Sequence, residues 1–221
     1  MRPTMRHSIL TALVAVAAST AGPADAHPHV FAEARLDVLI GADRSVTALR
    51  HLWRFDDLFS STVLVEFDRN GDLKLGPDEL EEVSSVVYDS IGEFDYFQIV
   101  SANGKPVAMK APDRLMVNFE DNQLIILFES QPKERLELDG TVDFGVYDPT
   151  FYTAIDFIED AYMAVEGLPL GCERQVVRPD PDEAIAQNQS SLTEAFFNDP
   201  TGNDMSKLFA TRLEISCPAQ G

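Results

Sequence analysis

Hydrophobic alternation is strongest just past residue 29. Val30 to Ile40 alternates and is rich in strand formers, Gly41-Ala42-Asp43-Arg44 interrupts it, and Val46 to Phe55 alternates again. Two such runs around a turn cluster predict a β-hairpin. From Asp56 to about Glu66 the spacing turns helical, with Leu58, Phe59, Val63 and Phe67 on one side. A turn cluster, Asp68-Arg69-Asn70-Gly71-Asp72, follows, and Pro77-Asp78-Glu79 opens a second amphipathic helix to about Ser90. Strand-like runs resume at Tyr96–Val100, Pro106–Met109, Leu115–Phe119, Leu124–Glu129, Thr141–Tyr147, Ala154–Phe157 and Glu173–Val177, and Phe209–Cys217 is a last strand. Asn103-Gly104 and Asp121-Asn122 read as hairpin turns. The Pro/Asn/Asp/Gln-rich stretch 178–204 leaves room only for short helices near Asp182–Gln189 and Leu192–Phe197. The pattern predicts an α+β fold. Its body is a mainly antiparallel, sandwich-like β domain over 27–221, with a helical insertion at about 56–92.

Composition narrows the partners. The 221 residues carry 37 Asp+Glu against 17 Lys+Arg, a formal net charge of −20, and 45% are hydrophobic, enough for a core. So negative a surface repels phosphate backbones and excludes nucleic acid; it also disfavours anionic lipid and leaves cations as natural small partners. Arg2 and Arg6, the apolar run Ile9–Ala18 and Ala24-Asp25-Ala26 form a signal-peptide pattern. The expectation is export to the periplasm with cleavage after Ala26; an uncleaved anchor is the alternative. The apolar run is too short for a membrane span, so the protein is expected not to be membrane-embedded. Cys172 and Cys217 are the only cysteines, and an oxidising compartment makes a disulfide the default over metal-binding thiolates, since no C-x-x-C spacing is present.

Cleavage after Ala26 would place His27 at a free α-amino terminus in His27-Pro28-His29-Val30-Phe31. Neutral imidazole is a common ligand for zinc, copper and nickel, and an N-terminal histidine adds its amine nitrogen. Pro28 has no amide hydrogen, which blocks the square-planar clasp that requires deprotonated amides at positions two and three. A site built from the amine, the His27 ring and a second imidazole remains, and in extended chain His27 and His29 share a face. The alternative is a solvent-exposed end with no ligand. His51 is the only other histidine beyond the signal pattern. With a turn centred on Ala42/Asp43 it faces Ala34, on the opposite face from His29, and Asp56 and Asp57 lie nearer His29. His51 is either a half-buried strand histidine or a ligand that needs an irregular hairpin or a displaced N-terminus.

Asp68, Asn70, Asp72 and Glu79 match positions 1, 3, 5 and 12 of the twelve-residue EF-hand loop, and Lys74 at position 7 can offer its carbonyl. Leu73 stands at position 6, where the sharp turn wants glycine. A left-handed Leu costs about 1–2 kcal/mol, so the expectation is a weak calcium site or a purely structural turn.

With His27-Pro28-His29-Val30-Phe31, Trp53-Arg54-Phe55-Asp56, Asn70-Gly71-Asp72 and Tyr147-Asp148-Pro149-Thr150-Phe151-Tyr152 in that order, and a late cysteine pair, the chain resembles the domain-of-unknown-function family numbered 1007. That family is often described as a periplasmic component of an uncharacterised transport system. Leu73 and Phe59 depart from it, standing where glycine and tyrosine are usual. The resemblance implies metal handling beside a membrane transporter for nickel, cobalt or another transition metal. It also points to Asp148, which could complete a His/His/Asp site, orient an imidazole, or simply close an Asx turn. Nitrogen and oxygen donors without Met or Cys suit a divalent ion, Ni, Co, Zn or Cu(II), rather than Cu(I). The expectation is therefore a non-enzymatic metal-binding accessory protein. A copper histidine-brace redox enzyme and a non-metal interaction module are the alternatives.

Overall fold

The structure is a computed structural model that describes residues 28–188 and 206–218. The signal pattern, His27 and the expected helix at 192–197 lie outside the described residues. Alternating burial organises the first hairpin. β1 (Val30–Ile40) turns Val30, Ala32, Ala34, Leu36 and Val38 inward, and β2 (Val46–Phe55) answers with Leu49, His51, Trp53 and Phe55. The register contains an irregularity between Leu39 and Ile40, and His51 pairs with Leu36 rather than Ala34. A shift of two positions leaves the face unchanged.

Asp56 ends the hairpin and starts α1 (Asp57–Phe67), its side chain accepting from the backbone N–H of Leu58 and Phe59 at 2.9 Å each. α2 (Pro77–Gly92) opens with proline in its first turn, and the Glu79 carboxylate reaches back 2.7 Å to the Gly76 N–H. The chain then runs through β3 (Gln98–Ala102), β4 (Lys105–Pro106), β5 (Met116–Glu120), β6 (Gln123–Ser130) and β7 (Gly140–Val146). It continues with β8 (Thr153–Asp156), β9 (Met163–Glu166), β10 (Glu173–Val177), α3 (Pro181–Gln187) and β11 (Arg212–Cys217). Both expected hairpin turns occur: Asn103 and Gly104 have φ of 49° and 74°, and Asp121 and Asn122 have 53° and 62°.

The strands form two sheets. One has the order β5-β6-β2-β1-β8, with β9 also on β1; the other is β10-β11-β7-β3-β4. Pairing is antiparallel except along the free edge of β1, where β8 (Val30 opposite Thr153) and β9 (Leu36 opposite Met163) both run parallel. Buried residues of both sheets form one core around Trp53, Phe144, Phe157, Leu213 and Ile215. Cys172 and Cys217 are joined by a disulfide that ties the segment before β10 to the end of β11.

Three local expectations change. The strand expected at Pro106–Met109 shrinks to Lys105–Pro106 plus an isolated bridge from Met109 to Pro132. Tyr96 and Phe97 form a 3-10 turn with positive φ, delaying β3 to Gln98. Likewise Ser206–Phe209 is a 3-10 turn, and β11 starts only at Arg212.

Candidate functional site

The parallel pairing of β1 with β8 determines what surrounds the N-terminal end of the described chain. Tyr152 precedes β8, and its carbonyl accepts from both His29 N–H (2.9 Å) and Val30 N–H (3.1 Å). The exposed His29 ring lies 5.1 Å from the Tyr152 ring, centroid to centroid. On the other side of β1, Phe31 and Asp56 are doubly linked: Asp56 N–H donates to the Phe31 carbonyl at 2.9 Å, and Phe31 N–H donates to Asp56 Oδ2 at 2.8 Å. Burial alone would raise the Asp56 carboxyl, but N–H donors from Phe59, Phe31 and Leu58 outweigh it and hold the group below the usual carboxylate range. As the sequence suggested, Asp56 is close to the His29 segment and His51 is not.

Asp148 is buried and shapes the loop that carries Tyr152. Its Oδ1 accepts from the Thr150 N–H (2.8 Å) and hydroxyl (2.6 Å), and its Oδ2 accepts from the Thr153 N–H (2.8 Å). This is the Asx turn among the readings of Asp148, and it positions β8 against β1. His51 sits in the core at 2% exposure, its ring stacked on Phe128 with centroids 4.4 Å apart. Neither ring nitrogen has a hydrogen-bond partner. Burial pushes His51 down to about 3, against a smaller upward pull from the Gln98 side chain. It is therefore a neutral core histidine facing inward, seven residues along β1 from His29 by register.

The carboxylates of the helix-connecting loop face their own backbone. Asp68 accepts from Gly71, Asp72 and Leu73 N–H, Asn70 from Asp72, and Asp72 from Lys74. Glu79 accepts from Arg69 and Gly76. Leu73 takes φ of 63°, the left-handed conformation its position demanded. Among the described residues no three His, Cys, Asp or Glu side chains are placed to hold a metal ion, and none of their helices is long and apolar enough to cross a membrane.

One feature was not anticipated. Between the α1–α2 hairpin and the end of the sandwich lies a cleft of about 370 Å³. Trp53, Phe55 and Leu124 line it from the sheet, Phe59 and Val63 from α1, and Val87 from α2. Val30, Asp148 and Tyr152 border it too. The apolar α1 residues that line it, Phe59, Val63 and Phe67, belong to the one side already read from the sequence, and that stripe by itself does not announce a cleft.

Residues 12–217 match the family described as "Protein of unknown function (DUF1007)". The chain belongs to that family. An uncharacterised protein of Haemophilus influenzae is 23% identical over 194 residues, covering 87% of this chain and 91% of that protein. An uncharacterised 15.5 kDa protein from the trpE 3′ region of Spirochaeta aurantia is 22% identical over 134 residues, covering 61% of this chain and 96% of its own length. Among solved structures, the crystal structure of AChBP from Bulinus truncatus aligns over 84% of each chain with 13% identity and a TM-score of 0.32, too distant to carry any argument. For this DUF1007 member the assignment of function therefore rests on its own residues.

Proposed function

We propose that this DUF1007 protein is an exported metal-binding accessory protein that hands a divalent transition metal (nickel, cobalt, zinc or copper) to or from a membrane transporter. The metal is the cargo, held by the His27 amine and imidazole together with the His29 imidazole. The observation that supports this most is the anchoring of β1 at its very start. Tyr152 takes two backbone hydrogen bonds from His29 and Val30, so His29 is fixed at the start of β1 with its ring exposed. Extended backbone puts residues two apart on one face, which is the geometry two imidazoles need to share one ion. The disulfide and the absence, among the described residues, of a membrane-crossing helix fit an extracytoplasmic setting. Asp148 serves this site by holding the Tyr152 loop, its oxygens being engaged by Thr150 and Thr153.

Calorimetric titration of the chain beginning at His27 with Zn²⁺, Ni²⁺, Co²⁺, Cu²⁺ and Ca²⁺ tests the proposal. One-to-one binding of a transition metal, weakened at least about tenfold by His29→Ala, is the expected result, since that substitution removes one of three nitrogen donors. Unchanged affinity in the variant overturns it.

A further inference from the structure

The cleft is a second feature with chemistry of its own. Its walls are aromatic and aliphatic, and its floor includes Trp53, which is 1% exposed. Among the described residues, the charged groups that line it are two carboxylates, Glu66 and Asp148, with no Lys, Arg or His in the lining. Neither carboxylate has an ion-pair partner among the described residues. Asp148 is 5% exposed, so its charge lies largely out of water, offset by three hydrogen bonds but by no cation. Glu66 is exposed at the rim on α1. Tyr152 borders the cleft half exposed, with the His29 ring 5.1 Å from its own.

We propose that this cleft is a binding site for a small organic cation with an apolar body, such as an alkyl- or arylammonium compound. The volume of about 370 Å³ falls within the span of roughly 300–1,000 Å³ usual for small-molecule sites. The apolar part fills the space between Phe59, Val63, Val87 and Trp53, where burial of hydrocarbon supplies the affinity. The cationic head is drawn to the carboxylates of the lining, of which Glu66, exposed at the rim, is the one open to solvent. The same two carboxylates exclude fatty acids and other amphiphilic anions, and the net charge of −20 adds to that selection at long range. The site uses neither His27 nor His29 as a ligand, although Asp148 and Tyr152 border it as well as the proposed metal end.

Trp53 is the only tryptophan of the chain, so its fluorescence reports occupation of the cleft floor without labelling. Decylammonium, decanoate and tetramethylammonium chloride are titrated separately into the whole protein, the two decyl probes below their critical micelle concentrations. The expected result is a saturable one-to-one change in Trp53 emission with decylammonium, at least about tenfold weaker binding of decanoate, and no response to tetramethylammonium at the same concentrations. Glu66→Gln, a substitution at an exposed position, should weaken decylammonium about fivefold. Thr62→Phe, which fills the cleft from the exposed side of α1, should abolish the emission change while the circular dichroism spectrum is retained. Equal binding of decanoate, a response to neither decyl probe, or binding unaffected by both substitutions overturns the proposal.

Discussion

Replacing His51 by phenylalanine should remove much of the acid sensitivity of this fold. His51 is fully enclosed, stacked on Phe128 and edge-on to Trp53 at 6.3 Å, and burial holds it neutral down to about pH 3. In the unfolded chain the same imidazole takes up a proton near pH 6.5. The unfolded state therefore binds more protons through the interval from about 6.5 down to about 3, and stability falls as pH falls. Between pH 7 and pH 4.5 the His51 contribution is a loss of about 2–3 kcal/mol, set by the unfolded imidazole. A domain of ordinary stability, about 5–15 kcal/mol, feels that loss. His51→Phe keeps the stacked ring and removes two unpartnered nitrogens. Urea unfolding followed by circular dichroism at pH 7, 6, 5 and 4.5 measures both chains. The difference between their unfolding free energies should move by about 2.5 kcal/mol in favour of the variant as the pH drops. Parallel curves, with a constant difference at every pH, would show that folded His51 is protonated as easily as unfolded and refute the reasoning.

Three other perturbations probe the framework. Asp56→Ala removes the α1 cap and the acceptor for Phe31 N–H and should cost about 2 kcal/mol at neutral pH, measured by the same unfolding assay. Because the folded carboxyl titrates low, the Asp56 contribution is fully present above the ordinary carboxylate range and is lost as pH falls through its lowered folded value, so the two chains should converge in acid. Leu73→Gly relieves a left-handed side chain that is 76% exposed and has little packing to lose; a rise in stability of about 1 kcal/mol is expected, read as a higher thermal midpoint. Reducing the Cys172–Cys217 bridge, which spans 45 residues, should lower stability by about 4 kcal/mol, and the Cys172→Ser/Cys217→Ser chain should match the reduced protein and be indifferent to reductant.

Local patterns made much of this fold legible. The β1–β2 hairpin, both helices of the insertion, the β10 boundaries and two hairpin turns follow from alternation, capping residues and Asn-Gly or Asp-Asn pairs, all of which act within a few positions. Long-range pairing was not legible. Nothing near Thr153 or Met163 announces that β8 and β9 lie parallel to β1, because that choice depends on segments more than a hundred residues apart. The consequence for the site is direct. Asp148 could be seen as a turn former, but that its loop brings Tyr152 to His29 follows only from that parallel edge. His51 shows the same limit: its face was readable from the period of two, while its partner depended on an irregularity at Leu39/Ile40. The cleft depends on how two helices close against a sheet, which a one-dimensional stripe does not encode.

The most direct test of metal binding at the chain end changes a single covalent bond. Two proteins are prepared, one beginning at His27 and one carrying a single alanine ahead of it, and each is titrated with Ni²⁺ and Zn²⁺ by calorimetry at pH 7.5. The extension converts the α-amine of His27 into an amide and leaves every described residue in place. Tight one-to-one binding that falls by at least about a hundredfold in the extended protein is the predicted result, because one of three nitrogen donors and its chelate ring are lost. Equal affinity in the two proteins would contradict the account.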